Sequence, residues 1–438
     1  MAATIAASKA ARRARYVPGE SVLDFAFIRR HPRRLALGFG LTFFASFGQT
    51  YFIAVFGGQL REAFALGVAG FGAVYSAATL ASGLLILYLG GLIDRLALPL
   101  YVGSATIVLA LAALMLASPL SASPLYLFAA LLLLRLCGQG LLSHASATTM
   151  AREFTRDRGK ALTFTALGHA GGEAVFPIGA VALMALVGWQ GVWLAIAAGL
   201  LLLALPLFLW LAQRRHSPLG GPSAGQALAP SGNDTDWTRA EVLRDPVFYL
   251  LAPAVMTPPV LNTGIFFHQV PLVEAKGWPL SLFAGAFTVY ALATVIAILY
   301  GGRQVDRIGA GGVLRFALVP LALGLVLLAV TDASWGAYAF MAFSGLSTGI
   351  FFTSSTAIWA ETYGTSYLGA IRALSSSLMV FATAAAPALF GWLLEAGLGF
   401  DRLLGLCAGW TILVIPNIFI ARTIIGRRKR RTVSKTSR

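Results

Sequence analysis

Ile86-Leu87-Tyr88-Leu89-Gly90-Gly91-Leu92-Ile93-Asp94-Arg95 and Ile298-Leu299-Tyr300-Gly301-Gly302-Arg303-Gln304-Val305-Asp306-Arg307 are two copies of one pattern. Aligned on Asp94 and Asp306, the copies share Ile, Leu, Tyr, Gly, Asp and Arg, and Phe71/Phe283, Leu80/Leu292 and Ala81/Ala293 coincide upstream. Each is an apolar run that ends on a small residue, an acid and a base. A membrane helix leaves the bilayer in this way, through a tight turn. Two such exits half a chain apart imply a duplicated membrane protein.

Composition supports that reading. Of 438 residues, 58% are hydrophobic and 11% charged, against about a quarter charged in soluble domains. Many stretches exceed the ~20 apolar residues that cross a bilayer. The net charge of +16 does not indicate nucleic acid, because Lys and Arg cluster at the chain ends and in alternate loops and form no basic face. Cys137 and Cys407 are the only cysteines. Both lie in apolar runs and imply neither a disulfide framework nor a metal site. The basic N-terminus is not followed by a short apolar segment with a small-residue cleavage site, so no cleaved signal peptide is expected.

The chain divides into a basic arm (1–34), a first set of six spans (35–212), a polar linker (213–245), a second set of six (246–425) and a basic tail (426–438). The spans fall near 36–58, 68–93, 98–117, 124–149, 162–187, 189–212, 246–270, 280–302, 313–331, 335–359, 368–395 and 402–425. Twelve crossings put both ends on one side. Nearly all of the 33 Lys and Arg lie on that side, while the other side carries only Arg61, Lys276 and Arg402. The excess of basic residues makes the terminal side cytoplasmic. In the linker, Thr238-Arg239-Ala240-Glu241 matches a capping box and predicts a short helix to about Arg244. The tail Arg427-Arg428-Lys429-Arg430-Arg431 anchors the topology and offers charge to anionic lipid headgroups.

Twelve spans, a central linker and a repeated Gly-x-x-x-Asp-Arg exit after the second and eighth spans resemble the major facilitator superfamily. Arg135-Leu136-Cys137-Gly138-Gln139-Gly140 is similar to a family motif whose arginine is associated with proton coupling. Arg158-Gly159-Lys160-Ala161, followed by Gly168, Gly171, Gly172 and Pro177, is similar to carriers of the monocarboxylate and oxalate/formate type. The resemblance implies an all-α membrane protein of twelve transmembrane helices in two pseudo-symmetric six-helix bundles. It also implies that Gly90, Asp94, Arg95, Gly302, Asp306 and Arg307 form a latch between conformations. Asp94 and Asp306 are placed where a following helix begins, so each carboxylate should face a positive helix end.

Charges inside a bilayer cost at least ~2.5 kcal/mol each, which singles out Arg135 and Glu173. At 1.5 Å per residue they lie about 24 and 18 Å from the terminal side, within about a turn of one another. An ion pair between them is feasible. The functional reading has Glu173 taking up and releasing a proton while Arg135 binds either Glu173 or an anionic solute. The bland alternative is a static pair that locks the first bundle. His169, four residues before Glu173, shares its helical face and is a candidate relay, although packing histidines are commoner. Gln49-Thr50 and Asn262-Thr263 occupy matching places in spans one and seven. At that depth Gln49, Tyr51, Asn262 and Tyr290 are candidate solute contacts. Interhelical hydrogen bonding is an equal alternative for each.

The expected protein is a secondary active transporter of a small organic solute, preferably a carboxylate, working by alternating access with proton coupling. Efflux of drugs or toxic compounds is the alternative. No filter loop or charged ring suggests a channel, and no metal triad or nucleophile–base set suggests an enzyme. Cofactor, metal and nucleic acid are not expected. The partners are solute, protons and membrane lipids, the protein is a monomer, and its place is the plasma membrane, a bacterial inner membrane.

Overall fold

The computed structural model describes residues 25–154, 157–213, 237–364 and 366–436, without the side chains of 306, 356 and 429–436. The basic arm up to residue 24 and the linker stretch 214–236 lie outside the described residues. Regular structure among the described residues is entirely helical. Among the described residues, nine helices are long and apolar enough to cross a membrane, and one bent pair, Pro32–Gly48 with Thr50–Ala63, makes ten. The Arg158–Ala212 helix runs 55 residues, about 80 Å at 1.5 Å per residue, far beyond a hydrocarbon core of about 30 Å. Gly188 breaks it with φ 71° and ψ 169°, a backbone that side chains with Cβ avoid, so it supplies two crossings. Trp335–Tyr363 is a further helix of 29 residues, more polar because it carries Ser344, Ser347, Thr348, Thr353 and Ser354.

We number the crossings α1 (Pro32–Gly48 with Thr50–Ala63), α2 (Val68–Asp94), α3 (Leu98–Ala117), α4 (Pro124–Glu153), α5 (158–187) and α6 (189–212). The second bundle holds α7 (Pro246–Phe267), α8 (Leu280–Ile308), α9 (Ala310–Val330), α10 (Trp335–Tyr363), α11 (Leu368–Glu395) and α12 (Phe400–Thr436). The first bundle begins at Pro32, whose ring suits the first turn of a helix, before the boundary expected from hydropathy. The tail continues α12 as helix to Thr436, since Arg and Lys are good helix formers.

Contacts at the helix ends bring one set of ends together. Arg33 donates to the Trp210 carbonyl, Arg34 pairs with Glu153 at 3.3 Å, and Arg152 pairs with Asp94. In the second bundle Arg428 bonds Asp245 through both guanidinium nitrogens at 2.8 and 2.6 Å, and the Trp237 N–H donates to the Tyr363 carbonyl. The short helix Arg239–Arg244 between the bundles is closed by a complete capping box of Thr238 and Glu241.

The two exits repeat in sequence more than in structure. The first ends in a 3-10 turn, Gly90–Asp94, and the next helix starts at Leu98 with Pro99 in its first turn. The second stays helical to Ile308 and stops before Gly309, where φ is 77°. The first half does not show the helix-capping aspartate that the spacing suggests, and the side chain of Asp306 lies outside the described residues. Asp94 turns to Arg152, and Ala97, without a side-chain bond, caps α3. The start of α9 is capped by Glu361 of α10, which accepts from the Ala310 N–H at 2.8 Å.

The core shows which side is closed. One hydrophobic cluster runs continuously from the first bundle into the second through Phe71, Tyr75, Phe267 and Phe287. Toward the terminal side the bundles keep separate clusters, around Phe27, Leu35 and Met150 in one and Phe248, Trp359 and Ile418 in the other. Hydrogen bonds between the bundles lie at mid-depth or on the far side. Gln269 donates to the Tyr51 carbonyl at 2.9 Å, Ala69 N–H to Glu395 at 2.8 Å, Ala388 N–H to Ser76 at 3.1 Å and Thr288 to the Ala174 carbonyl at 2.9 Å. The bundles are pressed together on the far side and parted on the terminal side.

Candidate functional site

The site begins with a break in α1. Its helical ladder stops at Gly48, and Gln49 is extended, with φ −86° and ψ 151°. The Phe52 N–H, which an unbroken helix would direct at the Gly48 carbonyl, donates to the Gln49 carbonyl instead. The Gly48 oxygen is thus an orphan at a buried position. Arg135 satisfies it, donating at 3.0 Å. The same guanidinium reaches the Thr50 hydroxyl at 3.4 Å and lies 5.2 Å over the Tyr75 ring.

Arg135 is delivered by an irregularity of its own helix. Residues Arg135–Leu142 are π-helical within α4, a local widening common at functional positions. The wide turn packs on the break in α1 at two glycines. A Cβ on Gly48 would lie 2.2 Å from the Leu134 oxygen, and one on Gly138 would lie 2.7 Å from the Gly48 Cα. Backbone touches backbone there, and no side chain fits.

Between the parted bundles lies a cavity of about 640 Å³. Gln49, Tyr51, Arg135, His169, Glu173, Asn262 and Tyr290, the solute and proton candidates read from the sequence, all line it. Their pairing differs from the expected one. Among the described residues Arg135 has no ion pair with a carboxylate, and Glu173 pairs with His169 at 3.4 Å. Arg135 is turned away by the Gly48 carbonyl, while His169 reaches Glu173 from one turn back on the same helix. The buried Arg135 and Glu173 keep 4% and 6% of their surface exposed.

The facing wall is a hydroxyl and amide network from α7, α8 and α10. Ser344 donates to the Asn262 carbonyl oxygen at 2.7 Å, and Asn262 and Tyr290 both donate to Thr348 at 3.1 Å. The sequence reading missed Thr348, Ser344 and Tyr75. Ser344 and Thr348 stand one helical turn apart, and that spacing was the available signal. Of the latch candidates, Asp94 is engaged by Arg152, Gly90 lies beside His144, and Arg307 is exposed. His268 donates to or accepts from no cavity group: its Nδ1 bonds the Gly264 carbonyl at 2.8 Å and its ring stacks on Phe390.

A largely apolar cavity with a few buried charged and polar side chains, set at mid-depth between two six-helix bundles and closed on one side, defines a membrane carrier. The model of the Major Facilitator Superfamily matches residues 38–287 and 261–438, and the chain belongs to that superfamily. It is a multi-pass membrane transporter of a small solute and not an enzyme. Similar solved structures include the nucleoside transporter NupG, with TM-score 0.67 and 15% identity over 89% of this chain and 98% of that one. Another is a bacterial homologue of the human lysosomal transporter Spinster in an inward-facing, unoccupied conformation, with TM-score 0.64 and 14% identity over 90% and 96%. These likenesses concern the fold. A search of curated proteins by sequence gives no match.

Proposed function

We propose that the protein is a proton-coupled, alternating-access carrier of a small organic anion, of the carboxylate-carrier type. The observation that carries this reading is a buried guanidinium lining the cavity with no carboxylate partner among the described residues. A buried cation of this kind favours an anion as its counter-charge, and the planar fork of Arg suits a carboxylate. Glu173 and His169 line the same cavity and supply a proton site beside it. With solute on Arg135, protonation of Glu173 would lower the charge carried across. The excess of basic residues on the terminal side supports cytoplasmic ends in a bacterial inner membrane, and the cavity then opens inward.

A second reading, efflux of lipophilic compounds, draws on the apolar part of the wall, including Leu162, Pro258, Phe266, Ile298, Phe351 and Met379. Purified protein separates the two readings by saturable binding of mono- and dicarboxylates against cationic dyes. Proteoliposome uptake at two pH values tests coupling. Glu173→Gln should keep solute exchange and lose accumulation driven by a pH gradient. Unchanged uptake with unchanged pH dependence would discard the proton role.

A further inference from the structure

The cavity wall is sorted by depth. Its ionisable side chains, Arg135, His169 and Glu173, stand at the deep end. Toward the terminal side the same helices present hydrocarbon. Leu162 precedes Glu173 on α5, about 16 Å nearer that side at 1.5 Å per residue, and Ile298 follows Tyr290 on α8 by about 12 Å. Phe351 belongs to the terminal-side apolar cluster of the second bundle, and Met379 packs against it. Both line the cavity. Hydroxyls beside them are bonded within their own helices: Thr353 donates to the Ile350 carbonyl at 2.9 Å and Thr383 to the Met379 carbonyl at 2.8 Å.

Charge limits what such a wall can take. Among the described residues, Arg135 is the one Lys or Arg that lines the cavity, and Glu173 holds His169 at 3.4 Å. One guanidinium compensates one carboxylate. A second carboxylate on the solute would meet hydrocarbon or Glu173, and a charge buried without compensation is costly. The volume of about 640 Å³ far exceeds a carboxylate group, so the rest of the solute must cover the apolar wall or leave it to water.

We infer that the solute is a monoanion with a bulky hydrocarbon body, an aryl or branched alkyl carboxylate. Its carboxylate lies on Arg135 at the closed end, and its body covers Leu162, Ile298, Phe351 and Met379 toward the terminal side. This deepens the anion reading above and rests on it. The apolar wall, which by itself suits any lipophilic compound, becomes the specificity surface of an anion site. Short acids and doubly charged acids are the poorer ligands.

The test is titration calorimetry of acetate, succinate and phenylacetate on purified full-length protein, with a protein-free micelle blank. Wild type should bind phenylacetate at least about tenfold more tightly than either other acid, the lower end for burying a phenyl group. Uncharged phenylacetamide, of the same shape, should bind at least about tenfold more weakly than phenylacetate. Ile298→Thr should narrow the phenylacetate-to-acetate ratio, and Met379→Gln, which keeps the side-chain length, should narrow it too. Equal binding of phenylacetate and acetate, tighter binding of succinate, or a ratio unchanged in both variants would overturn the inference and leave the anion reading standing. Phenylacetamide bound as tightly as phenylacetate, or no binding of any acid, would overturn the anion reading, and this inference with it.

Discussion

Arg135 does two jobs with one guanidinium. Its bond to the Gly48 carbonyl completes the broken helix, and its charge lines the cavity. Lysine cannot reproduce both, because an ammonium is a single point with no planar fork. Arg135→Lys should lower uptake by about tenfold or more, the loss of one charged hydrogen bond, while the melting temperature in detergent moves little. Uptake at the wild-type rate would show that only charge matters at this position. Gly138 is the structural counterpart. A methyl there must push two backbones apart, so Gly138→Ala should destabilise the protein by about 1–3 kcal/mol, read as a lower unfolding midpoint. The sequence exposed Arg135 and Glu173 because charge in an apolar run is conspicuous. The i,i+4 spacing also pointed to His169 beside Glu173, but the sequence did not expose the partner of Arg135. The Gly48 carbonyl carries no residue-type signal, and the turn of Arg135 toward it depends on a break in another helix.

At the scale of elements, the start of α7 is the most testable join. Asp245 caps α7 by accepting from the Val247 N–H at 3.2 Å and receives both Arg428 bonds from α12. Burial pushes the Asp245 carboxyl up, but the Arg428 and Val247 bonds together outweigh it and hold the carboxyl below its ordinary value. A carboxyl held low in the folded state contributes stability above its unfolded value, and loses it as pH falls through the folded one. Arg428→Ala removes the main opposing influence and leaves burial, so acid unfolding should begin at a higher pH than in wild type. An unchanged acid transition would mean that the pair is idle. Local chemistry made several elements legible. The capping box at Thr238 forms, and the hydrophobic runs mark the crossings. The two exits show the limit: like sequences end differently, because Pro99 starts the next helix after one and Gly309 stops the other.

At the scale of the molecule, the far side is shut by contacts that must break for it to open. Gln269, fully buried, satisfies a carbonyl of the broken α1 from the opposite bundle. Glu395 of α11 accepts from the first turn of α2, where the helix dipole favours a carboxylate. Neither bond can persist when the bundles tilt apart. Glu395→Gln and Gln269→Leu should each shift the balance toward the far-side-open form by about three- to tenfold, the worth of one such bond. Spin-label distances across the far-side ends of α2 and α11 read that balance. A distance distribution identical to wild type in both variants would show that packing alone, through Phe71, Tyr75 and Phe267, closes the gate.

The sequence by itself determined the membrane class, the repeat, the number of crossings and the few polar residues worth asking about. Those follow from hydropathy and from the cost of charge in hydrocarbon, both local properties of the chain. Tertiary structure alone decided which distant groups pair: Arg135 with an orphaned carbonyl, Thr348 with Asn262 and Tyr290. It also decided which side of the cavity is closed. Pairing and closure depend on how distant helices cross, and a crossing is set by the shapes of both partners together, which neither segment encodes alone.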